Sequence, residues 1–186
     1  PRWLHRAGVR PALAGALAAL LVGVIPAPAA AQQQGGALEV ASFRHPTTMD
    51  PITGSSGYDH AFLYPVYDTL IGLEPKTLKL RPELARSWEF RDELTLVLDL
   101  RPGVVFHDGT PLDAAAVKFN LDRARSGERS NVKAELAPVA SVDVTGPLQV
   151  TLKLKSPDTS LPGVLSDRAG MMASPAAVQK SGAGFD

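Results

Sequence analysis

Arg168 stands in Ser166-Asp167-Arg168-Ala169-Gly170-Met171-Met172, an otherwise apolar segment. An arginine fork can hold a carboxylate through two parallel hydrogen bonds, so Arg168 is a candidate for recognising an anionic small molecule. The alternative is an ion pair with Asp167 or another acid. Gly54-Ser55-Ser56-Gly57 is the second candidate. Small residues let backbone amides come close to a ligand, which suits a binding loop as well as a plain surface loop. The segment is not a nucleophile elbow, which needs G-x-S-x-G between a strand and a helix. Neither a phosphate-cradling G-x-x-x-x-G-K-[ST] nor a G-x-G-x-x-G occurs. His45, His60 and His107 have no ligand partner at helical spacing and no nearby carboxylates in a metal-binding pattern. The absence of cysteine excludes disulfides, thiol catalysis and cysteine-ligated metals.

Several elements must position these residues. Thr53–Gly57 reads as a loop after two prolines, Pro46 and Pro51, that forbid regular structure. The apolar spacing of Ala61, Phe62, Pro65, Val66 and Leu70 predicts a helix over 58–70, bent or restarted at Pro65. Leu94, Leu96, Leu98 and Leu100 fall on one face at period two and predict a strand. A shorter strand is expected at Val104–Phe106, then a turn at His107-Asp108-Gly109-Thr110. Asp113 can cap a helix from Ala114 to about Ala124 that buries Val117, Leu121 and Ala124. A hairpin over 141–155 turns at Gly146-Pro147, with Leu148, Val150, Leu152 and Leu154 on one face. Short helices are expected at 157–165 and at 175–180, the latter capped by Ser174. Arg123, Arg125, Arg129 and Lys133, mixed with acids, read as a solvated helix end. Strands and helices mix without β-α-β alternation, so the region is α+β.

The N-terminus reads as an export signal. Arg2, Arg6 and Arg10 precede an uncharged apolar run from Pro11 to Ile25, and Ala29 and Ala31 form an A-x-A site before Gln32. The run is shorter than the ~20 residues of a membrane span. Residues 1–31 are therefore expected to be a signal peptide cleaved after Ala31, and 32–37 a disordered leader. Leu38–Phe43 is a strand candidate. Lysine and arginine balance aspartate and glutamate at 19 each, so no global field favours nucleic acid or an anionic membrane. Removing three arginines with the signal leaves the mature part mildly acidic. An exported, cysteine-free chain of this kind fits the periplasm. The first residue, Pro1, and an end at Asp186 in mid-pattern predict a fragment.

Two blocks carry a resemblance: Arg81-Pro82-Glu83-Leu84-Ala85-Arg86-Ser87-Trp88-Glu89-Phe90, and Leu100-Arg101-Pro102-Gly103-Val104-Val105-Phe106-His107-Asp108-Gly109-Thr110-Pro111-Leu112. In this order and spacing they resemble the signature of the bacterial extracellular solute-binding proteins, family 5, which serve peptide-importing ABC transporters. The likeness reaches back to Met49-Asp50-Pro51 and forward to Met172-Ala173-Ser174-Pro175. It implies part of a two-lobed type II periplasmic-binding-protein fold, α/β when complete, that closes on a solute like a hinged trap. Residues 38–45 and about 170–186 would belong to the first-lobe core, and 46–169 to the family's extra subdomain. The second lobe would be missing.

The resemblance implies a receptor that binds a short peptide or similar small solute and delivers it to an ABC permease, as a monomer, without catalysis, cofactor or bound metal. In relatives that take metal chelates, an arginine of the return segment faces the cleft, and Arg168 falls at that place. Gly54, Ser55, Ser56 and Tyr58 fall where a cleft loop is expected. A receptor for a nickel or iron chelate or another small solute is the alternative. A secreted hydrolase and a non-functional truncated product are the remaining readings.

Overall fold

The computed structural model describes Gly36, 39–42 and 44–186. The expected signal peptide, the rest of the expected leader, and Leu38 and Phe43 of the expected first strand lie outside the described residues. The chain divides into two units, Pro1–Ser42 and Phe43–Asp186. In the first, residues 39–42 are exposed and form no strand, against expectation. A strand exists only within a ladder, and alternation of side chains cannot supply a partner.

The second unit is mixed helix and sheet. Its elements run α1 (His60–Leu63), β1 (Ile71–Leu73), β2 (Leu80–Pro82), β3 (Ala85–Asp92), β4 (Thr95–Leu100) and α2 (Ala114–Ser126). They continue with β5 (Val139–Gly146), β6 (Gln149–Leu154), α3 (Leu161–Val164) and α4 (Pro175–Ser181), with 3-10 turns at Gly57–Asp59, Arg168–Gly170 and Gly182–Gly184. β1 and β2 make a small antiparallel pair, and the main antiparallel sheet has the order β3-β4-β6-β5.

β4 forms because its leucines recur at period two. Leu96, Leu98 and Leu100 are fully buried, and Leu96 and Leu98 face Leu152 and Val150 of β6 across the ladder. Burying each such side chain contributes about 1.5–3 kcal/mol. Val97 is buried too, on the opposite face. β4 is central, and long polar neighbours on the adjoining strands roof that face; Lys153 Nζ donates to Thr95 Oγ1 at 3.0 Å. β3 closes one edge, with Trp88 and Phe90 packed on the core between charged neighbours.

α2 covers the sheet. Asp113 caps it by accepting from the Ala116 amide at 2.8 Å, and Ala116, Val117, Leu121 and Ala124 line its buried face. The expected α4 is also present, with the Ser174 hydroxyl accepting from the Ala177 amide at 3.2 Å.

Four expectations need correction. The helix expected over 58–70 ends at Leu63, because Pro65 has no N–H to offer the preceding turn. Its buried residue is Leu63, whereas Ala61, Pro65 and Val66 are exposed. Val104–Phe106 is no strand; only a single bridge joins Val105 to Pro111. The helix expected over 157–165 shrinks to α3. The basic run is a solvated end only at Arg129 and Lys133, which are exposed: Arg123 pairs with the fully buried Asp50, and its guanidinium lies 5.4 Å from the Phe185 ring centre. Arg125 bonds Asp122 and the Ala140 carbonyl, and Arg129 bonds the Ala183 carbonyl.

The turn at 107–110 clasps the chain. Thr110 donates its amide and hydroxyl to Asp108 Oδ1, at 3.0 and 2.6 Å, and the Ser174 hydroxyl donates to Asp108 Oδ2. Gly109 takes a positive φ of 80° that the turn requires. The Ser174 and Thr110 bonds hold the Asp108 carboxyl down at about 2. A depressed carboxyl contributes stability that is complete above its unfolded value of 3.8 and lost as pH falls through about 2. Asp108→Asn is expected to flatten the loss of thermal midpoint between those two pH values, read by scanning calorimetry, and to leave the slope above pH ~5 unchanged.

Candidate functional site

Asp167 starts the local structure around Arg168. Its carboxylate Oδ1 accepts from the Arg168 amide at 2.7 Å and caps the 3-10 turn Arg168–Gly170. The turn is stitched to the segment before β1: the Leu70 amide donates to the Gly170 carbonyl at 2.8 Å, and the Met172 amide to the Asp68 carbonyl at 3.2 Å. Gly170 leaves no room for a side chain, since a Cβ there would lie 1.9 Å from the Leu165 carbonyl oxygen.

Arg168 Nη1 donates to the carbonyl oxygen of Gly54, 114 residues away in sequence. The guanidinium thus bonds a backbone carbonyl rather than the carboxylate of Asp167. Gly54 is buried, and a Cβ on it would meet Asp59 Oδ2 at 2.7 Å and Arg168 Nη1 at 3.5 Å. The small residue permits this close approach.

Asp59 is the hub beneath the loop. It accepts from the Thr47 amide at 2.8 Å, the Thr47 hydroxyl at 2.6 Å and the Ser56 amide at 3.4 Å. Burial pushes its carboxyl up, but the Thr47 and Ser56 bonds and the Arg168 charge outweigh that and hold it below the ordinary value. Ser56 caps the 3-10 turn Gly57–Asp59 by accepting from the Tyr58 amide at 3.2 Å. Tyr58 packs against Phe62, the rings tilted at 56° with centres 5.7 Å apart. Ser55 is exposed.

α2 is the strut that brings both halves together. Its buried Asn120 donates to the Ala173 carbonyl at 2.8 Å and accepts from the Ala173 amide at 3.0 Å. One turn on, Arg123 holds Asp50 at the start of the 50–57 loop. The helix therefore fixes the loop carrying Gly54 and the return segment carrying Arg168 in one frame.

Asp167, His60 and Tyr64 also belong here, and sequence reasoning did not single them out as site residues. The Tyr64 hydroxyl donates to Asp167 Oδ1 at 3.0 Å, and His60 Nε2 lies 3.4 Å from the same oxygen. Although Tyr64 is half-exposed, partial loss of water around its phenol and the Asp167 charge push it up to about 12, so it donates throughout the neutral range. Burial also raises Glu135, against the pull of Arg168. The available signal was the spacing of His60 and Tyr64, four apart and edge-on at 5.7 Å between ring centres. A groove of about 220 Å³ lined by Val66, Val104, Phe106, Leu112 and Phe185 lies elsewhere and includes none of the candidate residues. Among the described residues no three His, Asp or Glu side chains converge as a metal site, and no helix is long and apolar enough to cross a membrane.

Residues 79–185 match the family described as bacterial extracellular solute-binding proteins, family 5, middle. The glutathione-binding protein GsiB of Escherichia coli (strain K12) is 37% identical over 141 residues, covering 73% of this chain and 27% of that protein. The chain thus spans about a quarter of the length of the curated relatives it matches. Among solved structures, NikA from Brucella suis in complex with Fe(III)-EDTA is 30% identical, with a TM-score of 0.63 over 70% of this chain and 26% of that one. The binding protein MoaA of A. tumefaciens R10, in complex with mannopinic acid, is 26% identical, with a TM-score of 0.69 over 74% and 29%. The architecture corresponds to part of the periplasmic-binding-protein fold.

Proposed function

The chain belongs to the bacterial extracellular solute-binding proteins of family 5, and from that premise we propose that it is part of the periplasmic receptor of an ABC importer. The receptor binds a short peptide or similar small solute and hands it to a membrane permease. In this reading 38–45 and about 170–186 contribute to the first lobe and 46–169 form the extra subdomain.

One observation carries the ligand assignment: Arg168 is anchored to the Gly54 loop through one nitrogen of its guanidinium. Its remaining N–H donors, beyond that bond, are the groups that would hold a ligand carboxylate. Gly54, Ser56 and Tyr58 shape the wall beside it, and Ser55 stands exposed at its rim. Binding needs no covalent step; charge-assisted hydrogen bonds in a closed cleft supply the affinity. The likeness to the Fe(III)-EDTA complex favours a second reading, a receptor for a metal chelate, whose carboxylates would use the same arginine.

Arg168→Ala is expected to weaken a carboxylate-bearing ligand about 10- to 100-fold by titration calorimetry, the scale of one lost charged hydrogen bond. Unchanged affinity would remove Arg168 from the site. Native mass spectrometry of the intact protein from the periplasm separates the two readings. An added mass of a short peptide supports the first, and one carrying nickel or iron supports the second.

A further inference from the structure

Asp167 concentrates its protein contacts on one oxygen. The Tyr64 hydroxyl and the Arg168 amide both bond Oδ1, and His60 Nε2 lies nearest that same oxygen. Oδ2 has no hydrogen-bond partner among the described residues, and the side chain is 45% exposed. Arg168 is used in the complementary way, with only Nη1 engaged, on the Gly54 carbonyl. Consecutive residues thus offer an open anionic acceptor beside open cationic donors. His60 Nε2 is buried behind Asp167, 3.4 Å from Oδ1, so it adds to the crowding on that oxygen and not on Oδ2.

We propose that Asp167 and Arg168 form a paired subsite for a zwitterionic amino-acid head group, with Asp167 Oδ2 accepting from its ammonium and Arg168 donating to its carboxylate. Both ligand charges sit on one carbon, so they are adjacent, as are the two side chains. Tyr64 keeps Asp167 in place by occupying Oδ1 and leaves the other oxygen to the ligand. This inference rests on the placement of Arg168 in the ligand site and adds a requirement for a free amine. A carboxylate-only or fully N-blocked ligand would leave Asp167 unpaired beside it, which costs affinity.

Titration calorimetry of the intact protein with glutathione and with N-acetylglutathione tests the subsite. The free amine is expected to bind about 10- to 100-fold more tightly. Asp167→Asn should erase that preference, weakening glutathione and relieving the acetylated probe of the cost of an unpaired charge. The comparison of probes on the unaltered protein needs no variant, so a folding defect in Asp167→Asn does not spoil it. Equal affinity for the two probes, with both weakened by Arg168→Ala, overturns the ammonium subsite and leaves the carboxylate role of Arg168 standing. Equal affinity that is also insensitive to Arg168→Ala overturns both, and binding of neither probe overturns the head-group subsite.

Discussion

Asp50→Ala is expected to destabilise the folded chain by about 3–5 kcal/mol, the cost of stranding one member of a buried ion pair. Asp50 is fully buried, and the Arg123 side chain that meets its Oδ2 is only 19% exposed. The aspartate also accepts from the Ile52 amide at 3.3 Å, while its own amide donates to the Thr48 hydroxyl at 2.9 Å. Its removal leaves a guanidinium with poor access to water and releases the start of the loop that carries Gly54. Urea denaturation of Asp50→Ala, Arg123→Met and the double variant measures the effect. The double variant should recover most of the loss, because an apolar pair replaces two charges at little net cost. A single-variant loss below about 1 kcal/mol, the range of an exposed pair, would show that the pair is solvated in solution.

Gly170→Ala is expected to cost about 3 kcal/mol or more, at the severe end of overpacking. The added carbon would lie within 2.8 Å of three backbone atoms of Leu165, and backbone cannot turn aside as a flexible side chain can. Leu165 is held in turn, since its carbonyl accepts from the Ile71 amide at 3.2 Å. The strain must therefore move the return segment and Arg168 with it, so ligand affinity should fall together with the thermal midpoint. Gly163→Ala is the control: nothing lies within 4 Å of the position a methyl would take there, and the residue sits in α3. At that site alanine should be neutral or gain up to about 1 kcal/mol. A Gly170→Ala protein with the midpoint and affinity of the unaltered chain would contradict the close packing of 165 against 170.

Much of the fold is legible because it is written in short-range patterns. Period-two leucines in β4 and β6, Asp113 before an apolar helical stripe, and Ser174-Pro175 each encode their element within a few residues. β3 carries the same signal, with Trp88 and Phe90 alternating with Ser87, Glu89 and Arg91, yet it is absent from the expected strands. The apolar spacing after Tyr58 misleads, because Pro65 withholds the hydrogen bond that would continue the turn. At Val104–Phe106 the residues favour a strand, but no adjacent segment forms a ladder with them.

Arg168 and the Gly54 loop are visible in the sequence as separate candidates, and their residue types set the chemistry: a carboxylate-binding cation and a loop small enough for close approach. Their meeting is not visible. It depends on α2, whose Asn120 holds Ala173 and whose Arg123 holds Asp50, and on Gly170 lying flat against Leu165. Most of those contacts join residues dozens of positions apart, chosen by packing and by the need to pair buried polar groups. The sequence alone determined the family signature, the α+β composition and the absence of cysteine chemistry. Only the tertiary structure decided that an arginine in a polar, mixed-charge run neutralises a buried aspartate, and that Asp167 turns from the Arg168 guanidinium to Tyr64, leaving one oxygen open beside it.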